Sequence, residues 1–191
     1  MTWLIIRGSG LAAFGLLAAS TIWGLLVSSG FLARLVKAKA LTYMHESLAI
    51  GAILATFVHL AALSMDQFVE FGWRELFVPG ASNIEPMGVA FGIIALYSMI
   101  IVSASFYVRK HIGQKAWRYI HFGSFGIYLA TAVHGLMTGT DSPNHYVQGL
   151  YIGSTAIVIA LTAVRVAAGG AKSRPQRPVR PTGTASEANA A

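Results

Sequence analysis

Cysteine is absent from the 191 residues of the chain. That excludes disulfides, thiolate metal sites and iron–sulfur clusters, and it leaves the redox compartment open. Charge is scarce as well. Only 11% of residues are charged, against about 25% in soluble domains. The few charges are clumped, and 55% of the residues are hydrophobic. The apolar runs between the charges are longer than a soluble core of this size can hide, so their solvent is a bilayer. The net charge of +7 invites a nucleic-acid reading. The basic residues stand between apolar runs and in the tail, however, so membrane topology explains them and no nucleic-acid partner is expected. No cleavable signal is expected either: Arg7 follows only six residues, and the apolar stretch behind it is too long for a signal core.

Five runs are long enough, at about 20 residues each, to cross about 30 Å of hydrocarbon. They are Leu11 to Ala33, Tyr43 to Met65, Pro86 to Val108, Trp117 to Thr138 and Val147 to Ala168. Pro86 suits a first helical turn, where its missing N–H costs nothing. Lipid forces the backbone into helices or closed barrels, and these runs lack the alternation of barrel strands. The predicted fold is an all-α integral membrane helical bundle of five transmembrane helices. Between the second and third spans, Asp66 to Glu85 carries Phe68, Phe71, Trp73, Leu76 and Phe77 at a spacing that suits a short amphipathic helix lying at the interface. Residues 1–168 form the membrane domain. From 169 to 191 the chain turns to Gly, Pro, Arg, Ser and Ala, which predicts a disordered tail whose arginines touch anionic lipid.

Charge orients the bundle. Arg34, Lys37 and Lys39 follow span one. Arg109, Lys110, Lys115 and Arg118 follow span three. Arg165, Lys172, Arg174, Arg177 and Arg180 close the chain. Only Arg7 and Arg74 fall on the other side, with Asp66, Glu70, Glu75, Glu85 and Asp141. The positive-inside rule then puts the amino terminus outside and the carboxyl terminus in the cytoplasm of a cell (inner) membrane.

Four of the six histidines lie within spans: His45 and His59 in the second, His121 and His134 in the fourth. Ionisable residues inside membrane helices are costly and mark function. His45 and His59 are 14 residues apart and His121 and His134 are 13 apart, or about 21 and 19.5 Å of helix rise. Spans two and four run in the same direction, so His45 shares a depth with His121 and His59 with His134. Each pair can supply the two axial nitrogens of a six-coordinate haem held between the helices, which predicts two b-type haems. Rotation agrees only in part. Fourteen steps return His59 to within about 40° of His45, whereas thirteen leave His134 about 140° from His121 on an ideal helix. Gly123, Gly126 and Gly135 can accommodate a bend there.

Rival readings remain at this stage. The four histidines can be separate bundle residues bonded to neighbouring backbone. Zinc would find two ligands per depth, with Glu46 the one nearby carboxylate able to add a third. His111 follows Arg109 and Lys110 and reads as a solvated basic residue. His145, beside Asp141 and Asn144, reads as a surface residue or as the lining of an acceptor site. Arg34, Lys37, Lys39, Lys115 and Arg118 lie at the depth of an inner haem and Arg74 near an outer one. Each is a candidate partner for haem propionates or simply a topology-setting charge. Phe57, Phe122, Phe125 and Tyr128 can pack on macrocycles or in an ordinary aromatic core. The Gly8-Ser9-Gly10 run with Gly15 is better read as small-residue helix packing than as a dinucleotide loop, because no strand precedes it.

The run Arg109-Lys-His-Ile-Gly-Gln-Lys-Ala-Trp117-Arg-Tyr-Ile-His121, the two histidine spacings, and His134-Gly135 followed by Gly139-Thr140-Asp141 carry a resemblance. From Tyr43 to about Arg165 the chain resembles the ferric reductase-like transmembrane domain. That superfamily includes ferric reductases, NADPH oxidases and the haem subunit of the periplasmic methionine sulfoxide reductase system. The resemblance implies that His45 pairs with His121 and His59 with His134, and that electrons leave a cytoplasmic flavoprotein or quinol donor for an outer flavoprotein, metal ion or oxygen. Six spans are usual in the superfamily and five are read here. The tail is too short for a flavin or nicotinamide domain. Oxygen-reducing members carry a second histidine one turn beyond the outer ligand, where this chain has Leu63. The expected role is therefore the membrane electron-transfer component of a reductase system. A quinol-linked di-haem cytochrome and a non-redox membrane protein (channel, assembly factor or structural partner) are the alternatives.

Overall fold

The computed structural model describes residues 1–29, 36–69 and 71–172. Arg34, Glu70 and the tail from 173 onward lie outside the described residues. Among the described residues six helices follow one another: α1 (Thr2–Ser28), α2 (Ala38–Ser64), α3 (Trp73–Phe77), α4 (Pro86–Phe122), α5 (Ser124–Thr138) and α6 (His145–Lys172). The described part is helical throughout its regular structure, as the apolar runs require.

Among the described residues four helices are long and apolar enough to cross a membrane: Thr2–Ser28, Lys39–Ser64, Pro86–Ile112 and His145–Ala167. The first differs from the expected Leu11 to Ala33. It starts nine residues earlier, and Arg7 lies in its second turn rather than ahead of it. The reason is that Arg7 has a partner, Asp141, so the helix extends through it without leaving a bare charge.

The expected fourth span takes a more broken form. α4 is interrupted at Gly113, whose φ of 83° and ψ of 154° belong to no helix. That left-handed φ suits a glycine alone, and there the chain turns from the limb Pro86–Ile112 into the helical stretch 114–122. A second break falls at Gly123. A Cβ on Gly123 would stand 2.9 Å from the carbonyl oxygen of Ile120, so the tight local turn needs a residue without one. The apolar run of Trp117 to Thr138 is thus two helical pieces meeting at Gly123.

α1 is the organising element. It packs along the whole of α2 and also against α5 and α6, while α4 packs along α5. The core joins Phe14, Ala18 and Leu25 of α1 to Tyr128 and Ala132 of α5 and to Tyr151 and Val158 of α6. Phe14 stacks obliquely on Tyr151 at 4.3 Å and on Tyr128 at 5.7 Å. The Tyr128 hydroxyl shares hydrogen bonds with Ser154 (2.8 Å) and Thr155 (3.0 Å) of α6. Arg7 pairs with Asp141 at one end of α1, and Arg165 donates to Ser28 Oγ at the other. These bonds run α1 and α6 in parallel. By contrast, among the described residues α2 touches α4 and α5 at most sparsely, so a slot lies between α2 and the α4–α5 pair.

Outside this core the surface is strongly apolar. Phe57, Val58, Ile101, Tyr107, Ile152, Ile159 and Val166 are all about half exposed or more. Side chains of this kind covering whole helices mark a lipid-facing surface. The segment expected to form an amphipathic helix holds one five-residue helix, α3, with Leu76 buried and Trp73 stacked on Phe77. α6 continues helically to Lys172, four residues into the stretch expected to be a disordered tail.

Candidate functional site

The four membrane histidines face one another across the slot. His45 stands beside His121 with ring centres 6.1 Å apart, and His59 stands beside His134 with ring centres 6.4 Å apart. His121 on α4 and His134 on α5 lie on either side of the Gly123 turn, and each stands against a histidine of α2. Within each pair the ring planes are near perpendicular, at 78° and 83°.

The separation has a chemical meaning. An imidazole nitrogen binds a transition-metal ion at about 2.0–2.1 Å, and a ring centre lies about 1.2 Å behind its nitrogen. Two imidazoles on opposite sides of one ion therefore stand about 6.4 Å apart, centre to centre. Both pairs match that spacing. Among the described residues no group of three or more His, Asp or Glu side chains converges. A closed four-ligand zinc site is therefore not assembled at either depth, and Glu46 is exposed. Two imidazoles at this spacing would suit a planar group that supplies its own four equatorial donors.

Three of the four rings are held in one way. His59 Nδ1 donates to the Ile6 carbonyl (2.9 Å), His45 Nδ1 to the Ser20 carbonyl (3.0 Å) and His134 Nδ1 to the Gly88 carbonyl (2.8 Å). In each case the residue four positions after that carbonyl is a glycine lying against the ring. A Cβ on Gly10 would be 3.2 Å from the His59 ring, one on Gly24 3.1 Å from His45, and one on Gly92 2.7 Å from His134. The glycine lets the ring reach the helix surface, and the carbonyl then takes the Nδ1 proton. With Nδ1–H engaged, Nε2 is the nitrogen left bare, as a metal ligand must be. Ser20 also donates its hydroxyl to the His45 carbonyl (3.3 Å).

His121 is held differently. Its ring stacks on Trp117, one turn earlier, at 5.1 Å and 21°. Trp117 packs in turn on Phe106 at 6.4 Å. The Trp117 indole Nε1 is buried and has no hydrogen-bond partner among the described residues.

The His59–His134 pair opens into a cavity of about 370 Å³. Its walls include Leu11, Phe14, Leu60, Leu63, Val89 and Leu96, and its polar mouth includes Arg7, Thr138 and Asp141. Arg74 was expected to serve this end. It is exposed on α3 and does not line the cavity, whereas Arg7 does, held there by Asp141 and lying over the Trp3 ring at 4.0 Å. Lys115 and Arg118 are exposed on the 114–122 stretch next to His121, as are Lys37 just before α2 and Lys39 in its first turn. His111 and His145 are exposed, and neither lines the cavity at His59 and His134. Tyr128 and Phe125 belong to the α1–α6 core, while Phe57 and Phe122 are more than half exposed. None of the four aromatics lines the cavity.

Sequence reasoning missed Gly10, Gly24, Gly92, Ser20, Arg7 and Trp117. One signal was available: Gly10 and Gly24 are 14 residues apart, the same interval as His45 and His59. No family model, no curated protein and no solved structure matches the chain.

Proposed function

We propose that the chain is a transmembrane electron-transfer cytochrome b, holding two haems stacked across the bilayer as the membrane component of a reductase system. The observation that carries this reading is the pair of histidine couples, each at the spacing of two imidazoles sharing one ion. His45 and His121 would hold one haem, His59 and His134 the other. Bound haem supplies reversible one-electron chemistry at each depth.

The chain's own residues do the rest. The Ile6, Ser20 and Gly88 carbonyls fix three imidazoles in the tautomer that offers Nε2, and raise their basicity as ligands. The apolar walls around His59 and His134 keep water away. Arg7, which lines the cavity, would be the cation for a haem carboxylate. The couples are 13 or 14 residues apart along their helices, about 20 Å, so two hops cover most of the hydrocarbon.

In this reading the chain crosses five times, the fourth crossing being the paired stretches 114–122 and α5. The amino terminus is outside, the carboxyl terminus is cytoplasmic, and α3 rests on the outer interface. Exposed Lys37, Lys39, Lys110, Lys115 and Arg118 would steer an acidic cytoplasmic donor by long-range attraction. The acceptor lies on the outer side. Leu63, one turn beyond His59, lines the cavity there with an apolar side chain, which favours a flavoprotein or metal ion over oxygen.

The test is purification from haem-replete cells. The protein should carry about two haems per chain, low-spin, and His59→Ala or His134→Ala should remove one of them while the other remains. In proteoliposomes, haem reduced from the cytoplasmic face should pass electrons to an external ferric or flavin acceptor. A haem-free protein would end the proposal.

A further inference from the structure

Three of the four ligand-type histidines use the same support, a helix carbonyl with a glycine four residues on. The fourth does not, and the sequence of α4 explains why. Gly88 and Gly92 serve His134; the positions 14 residues further along the same helix are Val102 and Phe106. There the Val102 carbonyl already accepts the Ser105 hydroxyl at 2.6 Å. Phe106 stands where the glycine would be, so an imidazole cannot come against the backbone. No hydrogen bond among the described residues holds the His121 ring. Its orientation rests instead on the Trp117 stack, and Trp117 rests on Phe106, itself covered by the Arg109 guanidinium at 4.1 Å.

Trp117 carries a second anomaly. Its Nε1–H is the one buried side-chain donor without a partner among the described residues. Buried N–H groups are almost always paired, and an unpaired one is costly enough to need a reason. It stands on the residue whose ring stacks on His121.

We propose that Trp117 is the positioning residue of the inner site: its ring sets the His121 plane in place of the missing carbonyl bond, and its Nε1–H donates to a carboxylate oxygen of the haem held by His45 and His121. The inference rests on the two-haem reading. The two sites are therefore built unequally. The outer one has two carbonyl-anchored imidazoles. The inner one has a single anchored imidazole and an indole.

Two variants separate the two roles of the indole. Trp117→Phe keeps a ring to stack on His121 and removes the N–H. Trp117→Leu removes both. The readouts are haem per chain, potentiometric titration, and the electron paramagnetic resonance of the oxidised protein. The near-perpendicular rings should give strongly anisotropic low-spin signals at both sites, and His134→Ala assigns which signal is the inner one. Trp117→Phe should keep both haems, and the inner midpoint potential alone should fall, because a carboxylate that loses its donor holds more negative charge beside the iron. Trp117→Leu should in addition weaken inner-haem binding about tenfold, the usual loss for an outer-shell partner, and should shift the inner resonance as the His121 ring is freed. The outer haem should keep its potential and signal in both.

An inner potential and resonance unchanged in Trp117→Phe and Trp117→Leu would overturn the inference and leave the two-haem reading standing. A wild-type protein without haem would overturn both. If Trp117→Leu does not fold, the potential of Trp117→Phe decides alone.

Discussion

Replacing Gly92 by alanine tests the site through a single methyl group. The new Cβ would lie 2.7 Å from His134 Cε1 and Nδ1 and 3.0 Å from its Cγ, so the ring is met roughly 0.7 Å inside the 3.4 Å at which ordinary contact begins. The obstruction is the root of an imidazole whose Nδ1 bonds the Gly88 carbonyl at 2.8 Å, so the ring cannot swing aside and keep that bond. Alanine gains about 0.5–1 kcal/mol over glycine in a helix interior. Against this, overpacking costs about 1–3 kcal/mol and the lost hydrogen bond about 1 kcal/mol. The net loss, about 1–3 kcal/mol, falls on the His59–His134 site and corresponds to about ten- to a hundredfold in affinity for its group. The assay is haem per chain and reduced-minus-oxidised spectra, with thermal unfolding in detergent as a check on folding. Gly92→Ala should lose the outer haem and keep the inner one. Gly24→Ala, at 3.1 Å from His45, should act more mildly and on the inner haem. Gly15→Ala, which meets nothing within 4 Å, should keep both. Two haems with an unchanged spectrum in Gly92→Ala would refute the reasoning, because the ring would then have to be elsewhere.

Cysteines introduced at position 75 and at position 113 should label from opposite sides of the membrane, the first from outside and the second from the cytoplasm; labelling of both from one side would refute the proposed topology. The Asp66 carboxylate, just beyond α2, accepts the Phe68 and Val69 backbone N–H groups at 2.9 and 3.0 Å. The Val69 bond first and the Phe68 bond second hold its pKa below the ordinary carboxylate value. A depressed folded-state pKa contributes stability that is present above the unfolded value and lost as pH falls through the folded one. Melting temperature should therefore drop below about pH 4, and Asp66→Asn should lower the melting temperature at neutral pH and flatten that acid limb, so that variant and wild type converge in acid; an unchanged acid limb in the variant would count against it. Arg7→Ala should destabilise the protein by about 1 kcal/mol and Asp141→Ala by a similar amount. The double variant should cost less than their sum, since the two side chains are one ion pair, 30% and 18% exposed; strict additivity in thermal melts would deny the coupling.

Depth was legible in the sequence, and direction around the helix was not. A membrane helix rises about 1.5 Å per residue whatever it packs against, so intervals of 14 and 13 residues alone put His45 level with His121 and His59 level with His134. Apolar length and the clustering of basic residues likewise need no tertiary information to point to a helical membrane protein. Azimuth does need it. Thirteen steps aim His134 away from His121 on an ideal helix, yet in the fold, where α4 gives way to α5 at Gly123, both stand against histidines of α2. Partner choice needs it too. Arg74 and Arg7 are both basic residues of one sign class in the sequence. Helix α1 carries Arg7 into the cavity mouth, and α3 carries Arg74 out to the surface. Most of all, α1 reads in the sequence as a plain apolar run. Packing along α2 is what turns the Ile6 and Ser20 carbonyls, with Gly10 and Gly24, into the seats of two histidines, because a carbonyl becomes an anchor only when another helix brings a donor to it.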